Sequence, residues 1–137
     1  MPLPQIEVLT PYARSLGVEV AHWDEHGPVL TVPFNERLEG RPGALHGGAI
    51  SGLLETAGYA ALRARLGDEA ETTTLKPINV TVQFLRAGKT EASFARGRIV
   101  KMGRRTANIS VEAWQDDAER AIASAVMNVM IVRADAG

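Results

Sequence analysis

The chain has 137 residues, enough for one domain with a sizeable core. Fifteen basic against sixteen acidic side chains leave a formal charge of −1, which argues against a general nucleic-acid binder. Cysteine is absent, which excludes disulfides, thiolate metal sites and cysteine nucleophiles.

In chain order, Met1 to Glu7 shows no basic region followed by an apolar run, so no secretory signal is expected. Thr10 to Leu16 predicts a short helix, with Thr10 as N-cap, Pro11 in the first turn and Gly17 as a stop. Val18–Ala21 and Val29–Phe34 favour strands. The turn formers between them, Trp23 to Pro28, make a hairpin. Asn35 to Ala44 has Gly, Pro and charge without a period and reads as a loop. Gly47 to Leu66 predicts one long helix ended by Gly67-Asp68. Strands are expected over Asn79–Leu85, Ala92–Met102, Thr106–Trp114 and Ala121–Val132, with a tight turn at Gly103-Arg104-Arg105. Helix and antiparallel strands are segregated, so the fold class is α+β, as a single domain over 1–137. No apolar run spans a bilayer, and the expected location is cytoplasmic.

From Gly47 to Leu62 the long helix has almost no polar face, so it must be enclosed nearly all round. A single layer of strands wrapped around it, completed by a second copy of the protein, would do this. Glu55 is the only ionisable side chain between His46 and Arg63. A carboxylate there is costly to bury and needs a partner or a chemical task. Either it pairs with an arginine or caps a strand, or it is catalytic.

His46-Gly47-Gly48 opens the helix. Free N–H groups and the helix dipole there favour negative charge, which an acyl-transfer oxyanion requires. The plain alternative is a tight turn. Glu55 lies eight residues after Gly47, about 12 Å along a helix. The two act on one carbonyl only if antiparallel helices of two subunits bring each Glu55 to the other's Gly47, giving two equal sites across a twofold interface. Glu55 shares its stripe with Ser51, Gly52, Gly58, Tyr59 and Leu62, and the small residues are expected to leave room for substrate.

His46 either polarises a ligand or fixes the loop. His22 and His26 lie by a hairpin turn without a carboxylate motif, so no metal site is expected. No dinucleotide or P-loop pattern occurs, and Ser51 lacks a nucleophile elbow. Arg86, Lys101, Arg104 and Arg105 fall at strand ends and a turn, as a solvated surface or as a clamp for nucleotide phosphates.

Leu45-His46-Gly47-Gly48 with Glu55, then Asn79 through Arg86-Ala87-Gly88, then Gly103-Arg104-Arg105, resembles the hotdog-fold acyl-CoA thioesterases. The branch it looks most like is the phenylacetate-degradation and 4-hydroxybenzoyl-CoA thioesterase one, and the resemblance covers roughly residues 15–133. The resemblance implies a long helix wrapped by an antiparallel sheet, a homodimer with shared active sites, and often a homotetramer. It implies hydrolysis of an acyl-CoA thioester with no cofactor beyond the substrate's own coenzyme A. Glu55 would be general base or nucleophile, and the partner's Gly47 N–H would polarise the carbonyl. His46, Gly48, Gly40, Ser51, Tyr59 and Asn79 would border the substrate, and Arg86, Arg104, Arg105 and Thr106 the coenzyme A. Relatives often carry Asn or Gln where this chain has Gly40, and Ser or Thr near Pro77. Two other activities fit the same pattern: a hotdog dehydratase or hydratase, and a non-catalytic acyl-CoA binding module, the latter prompted by Gly40.

Overall fold

The computed structural model describes residues 8–134. The segment 1–7, where no secretory signal was expected, lies outside the described residues. Helix α1 spans Pro11–Leu16. Thr10 caps it as its composition predicts, the Thr10 Oγ1 accepting from Ala13 N–H at 3.2 Å. Gly17 ends it at φ 84°, the left-handed conformation that glycine adopts freely.

Strands β1 (Glu19–Asp24) and β2 (Gly27–Val32) form the expected hairpin, with its turn tighter than the composition suggests. The Asp24 carboxylate accepts from His26 N–H at 2.8 Å, and Gly27 takes φ 122°. Trp23 and Asp24 therefore stay paired, opposite Pro28 and Gly27. Pro33 and Phe34, expected in the second strand, lie beyond its end. The expected loop contains one 3₁₀ turn, Glu36–Leu38, capped by Asn35. Backbone bonds pin this loop, among them Gly40 N–H to Ala44 O, Leu45 N–H to Gly88 O, and His46 N–H to Leu38 O.

Helix α2 spans Gly47–Leu66, with the bounds its caps predict. A 3₁₀ turn, Gly67–Thr72, then leads into β3 (Thr73–Phe84), which begins six residues before the expected strand. β4 (Ser93–Met102), β5 (Thr106–Trp114) and β6 (Ala123–Arg133) follow. All pairings are antiparallel, in the order β1-β2-β4-β5-β6-β3. The chain crosses from β2 to the far edge through α2, so β1 and β3 are the free edges.

One sheet face wraps α2. Along β5 and β6 the inward residues Ile109, Val111, Met127 and Val129 are buried, and their neighbours in sequence face out. Leu53, Leu54 and Leu62 of α2 are fully buried, each contributing about 1.5–3 kcal/mol. The approach is close enough to need glycine. A Cβ at Gly97 would lie 2.9 Å from the Ala57 carbonyl oxygen, and one at Gly58 would lie 2.2 Å from Met127 Sδ. This is the helix-in-sheet arrangement that the hotdog resemblance implies.

Candidate functional site

The start of α2 is built around His46. Its Nδ1 accepts from Gly48 N–H at 2.8 Å, and its carbonyl accepts from Ala49 and Ile50. The imidazole is thus an N-cap, and with Nδ1 accepting, a neutral ring carries its proton on Nε2. Gly48 is required by this cap, since a Cβ there would lie 2.9 Å from His46 Nδ1. Gly47 is different. It lies outside the left-handed region, and a Cβ there would meet only the rim of exposed Phe84 at 3.4 Å. Neither backbone strain nor internal packing demands a glycine at 47. Its N–H makes no hydrogen bond among the described residues. Gly47 borders a cleft of about 500 Å³ together with Gly40, Arg41, His46, Phe84 and Arg86.

Glu55 lies in a second cleft of about 340 Å³, with Thr10, Tyr12, Thr56, Tyr59, Arg63 and Leu75. Within one chain the carboxylate is exposed and forms no ion pair among the described residues. The reading that an arginine or a strand end holds it therefore finds no support. The enclosure of α2 is also incomplete in one chain, because the stripe through Glu55 and Tyr59 is unsealed.

The small residues beside Glu55 are not substrate space. The notch at Gly52 is filled by Tyr12, whose hydroxyl oxygen lies 2.6 Å from where a Cβ would be. Gly58 is filled by Met127, and Leu62 is in the core. The open side is instead toward Tyr59 and Leu75. Burial, then the Glu55 carboxylate, raises the Tyr59 phenol above its usual range, and Arg63 opposes this. The Arg63 guanidinium lies 5.7 Å from the Tyr59 ring centroid. Ser51 is half-buried and lines neither cleft.

The basic residues separate into two groups. Arg86 borders the Gly47 cleft and donates from Nη1 to Ala121 O at 2.7 Å. Arg104, Arg105 and Thr106 border a hollow at the β4–β5 turn together with Arg133. Arg133 donates to the Arg104 carbonyl and, at 3.1 Å, to Glu69 Oε2. Arg86 N–H bonds to Ile122 O, and Arg105 O accepts from Ile131 N–H. Those anchors are nine residues apart on one stretch of chain, about 30 Å. One chain does not join the two groups into one clamp. Lys101 pairs with Asn108 and borders none of these clefts.

Asn79 lies on the sheet face away from α2. Its Oδ1 accepts from Asn128 Nδ2 at 2.8 Å, and Asn128 Oδ1 accepts from Asn108 Nδ2 at 2.9 Å, a ladder across β5, β6 and β3. His26 is exposed beside Glu25, and no cluster able to hold a metal occurs among the described residues. Tyr12, Thr10 and Leu75 in the Glu55 cleft, and Phe84 in the other, carry no site signal in the sequence. Only the tertiary docking of α1 and β3 brings them there.

A family model described as the thioesterase superfamily matches residues 42–122, which covers both the capped helix start and Glu55. No curated protein matches the chain by sequence. Among solved structures, a thioesterase family protein of Silicibacter pomeroyi is 26% identical, with a TM-score of 0.76 and 91% of each chain covered. A phenylacetic acid degradation-related protein of Ralstonia eutropha is 23% identical, with a TM-score of 0.75, covering 95% of this chain and 92% of the other. A Haemophilus influenzae thioesterase is 22% identical, with a TM-score of 0.76, covering 88% and 82%. The last two carry the likeness of fold alone. With the match spanning more than half of the sequence, the chain belongs to the thioesterase superfamily and is a thioester hydrolase.

Proposed function

We propose that the protein hydrolyses acyl-CoA thioesters with small, medium-chain or aryl acyl groups, at sites shared by two subunits. The observation that carries this is the division of labour within one chain. Gly47, with an unstrained backbone and an N–H unbonded among the described residues, and Glu55, with a carboxylate unpaired among them, line two different clefts. Each is half of a hydrolytic site. The unpaired edge of β3 offers the means of joining the halves, because Ile78 and Phe84 on it are 49% and 56% exposed. Antiparallel pairing of two β3 edges about a twofold axis brings each Glu55 toward the partner's helix start.

In this reading the thioester oxygen accepts from Gly47 N–H, where the helix dipole supports developing negative charge. Glu55 takes a proton from water as the oxygen attacks the carbonyl carbon, and then returns it to the departing sulfur. Direct attack by the carboxylate, followed by hydrolysis of the anhydride, uses the same geometry. His46 and Gly48 hold the helix start, and Gly40 packs against it. Arg86 beside one cleft, and Arg104, Arg105 and Thr106 at the far hollow, are partners for the phosphates of coenzyme A. No cofactor enters the reaction. A hydratase reading is disfavoured, because the His46 nitrogen facing the helix is already occupied as a cap.

We further infer a homotetramer built from two such dimers. Val126, Met130 and Val132 on the outer sheet face, flanking Asn128, are 48%, 42% and 40% exposed, apolar side chains that a second dimer would cover. A cytoplasmic location goes with this reading, and no helix among the described residues is long and apolar enough to cross a membrane.

The test is a panel of short, long and aromatic acyl-CoA thioesters, with release of free thiol as readout. Glu55→Gln should lower kcat by about 10²–10⁴-fold with the fold unchanged, since the side chain is exposed. Near-normal turnover in that variant would sink the proposal.

A further inference from the structure

A third cleft, of about 340 Å³, lies where the sheet splits. Strands β2 and β4 pair only from Leu30 opposite Ala95 to Val32 opposite Ser93. Beyond Ala95, β4 runs on to Met102 with β5 as its only strand partner among the described residues. The same register would set Gly27 opposite Arg98, yet the two do not pair, and both border the gap. The β1–β2 turn stands on one side of it, Arg98 and Ile99 on the other, and Ala61, Ala64 and Arg65 of α2 close it from behind. All of these walls belong to one chain. The cleft also faces away from the proposed subunit seam. Ala61 and Ala64 lie about 120° and 180° around α2 from Glu55, and Arg65 is about 27 Å along the helix from Gly47.

Trp23 and Ile99 on its wall are half-buried apolar residues packed against the core. Its acidic groups are engaged. Asp24 pairs with Arg96 and accepts from His26 N–H at 2.8 Å, and Glu25 lies 3.6 Å from His26 Nε2. Its arginines are not. Neither the Arg65 nor the Arg98 guanidinium has a hydrogen bond, ion pair or ring contact among the described residues. Arg65 falls in the last turn of α2, where a cation offsets the helix dipole. Arg98 lies within β4 opposite the uncharged Ser110 and has no such task. Two unengaged guanidiniums beside an apolar wall are what an organic anion requires, a fork for the acid and a surface for the body. The volume is near the small end of the range for ligand sites and excludes a nucleotide-sized molecule.

We propose that this cleft is a second ligand site, separate from the hydrolytic one, and that it takes a small carboxylate with a compact apolar body. The carboxylate sits between Arg65 and Arg98, and the body lies against Trp23 and Ile99. Binding there needs no turnover and no second subunit.

The probe is benzoate, titrated calorimetrically into the full chain, with benzamide as its uncharged match and inorganic phosphate as charge without an apolar body. Benzoate should bind, and benzamide and phosphate should each bind about tenfold more weakly or worse. Arg65→Ala and Arg98→Ala should each weaken benzoate by about tenfold. Both side chains are exposed, so both variants keep the fold. Ala64→Leu, which fills the cleft from α2 and keeps both arginines, should abolish binding. No benzoate binding overturns the proposal. So does binding that all three variants leave unchanged, because the probe then sits elsewhere. Phosphate bound as tightly as benzoate also overturns it, because two arginines alone would then account for the anion.

Discussion

At position 40 the backbone of a loop presses on the residue that caps the long helix. A Cβ there would lie 3.0 Å from His46 Cα and 3.4 Å from its ring, so an amide side chain requires the cap to yield by a few tenths of an ångström. Gly40 thus sits where an Asn or Gln side chain would crowd His46. Gly40→Asn should cost about 1–3 kcal/mol by overpacking, read as a lowered urea midpoint. A midpoint equal to that of the wild type would show that the loop has slack. Glu55 was legible from sequence as the one charge in an apolar helix, and so was its separation from Gly47. Its exposure in a single chain was not, because periodicity gives the faces of a helix but not which face the sheet leaves uncovered. Gly52 and Gly58 were misjudged for a related reason. A small residue looks the same in sequence whether a substrate, a tyrosine or a methionine fills the space beside it.

Among the elements, α2 was legible to its bounds because its stop is chemical, Gly67 after the last apolar turn, and its start carries the His-Gly-Gly cap. The first half of β3 was not. Lys76 and Pro77 break the alternation, a bulge falls between Pro77 and Asn79, and an edge strand needs no continuous apolar face. The β1–β2 hairpin carries an ion pair that ties it to β4, between Asp24 and Arg96. Burial alone would raise the Asp24 pKa. The His26 backbone N–H and the Arg96 guanidinium outweigh it and hold the carboxyl below its ordinary 3.8. A carboxyl with a lowered folded-state pKa stabilises in its ionised form. Its contribution is therefore complete above pH 3.8 and is lost as the pH falls below that value toward the folded-state pKa. Asp24→Asn should cost about 1 kcal/mol at neutral pH, and the gap to wild type should close in acid. Denaturation curves across that range check it. A constant gap at all pH values would mean that the pair contributes nothing through charge.

For the whole molecule, β3 is an edge strand of the sheet, and Gly47 and Glu55, the proposed halves of a hydrolytic site, border separate clefts. The missing polar face of the long helix implied a wrapped helix, whereas the exposed apolar side chains on the β3 edge emerge only from the fold. The proposed remedy for both is one twofold axis. It is tested by a purified heterodimer of one Glu55→Gln chain and one Gly47→Pro chain, the proline removing the N–H at the first position of α2, where helices tolerate it. If each site takes its carboxylate from one subunit and its N–H from the other, both lesions fall in one site and the second is intact. The heterodimer should then show about half of wild-type activity per dimer while each parent homodimer is inactive. A heterodimer as inactive as its parents would mean that Glu55 and Gly47 of the same chain work together, and would contradict the account.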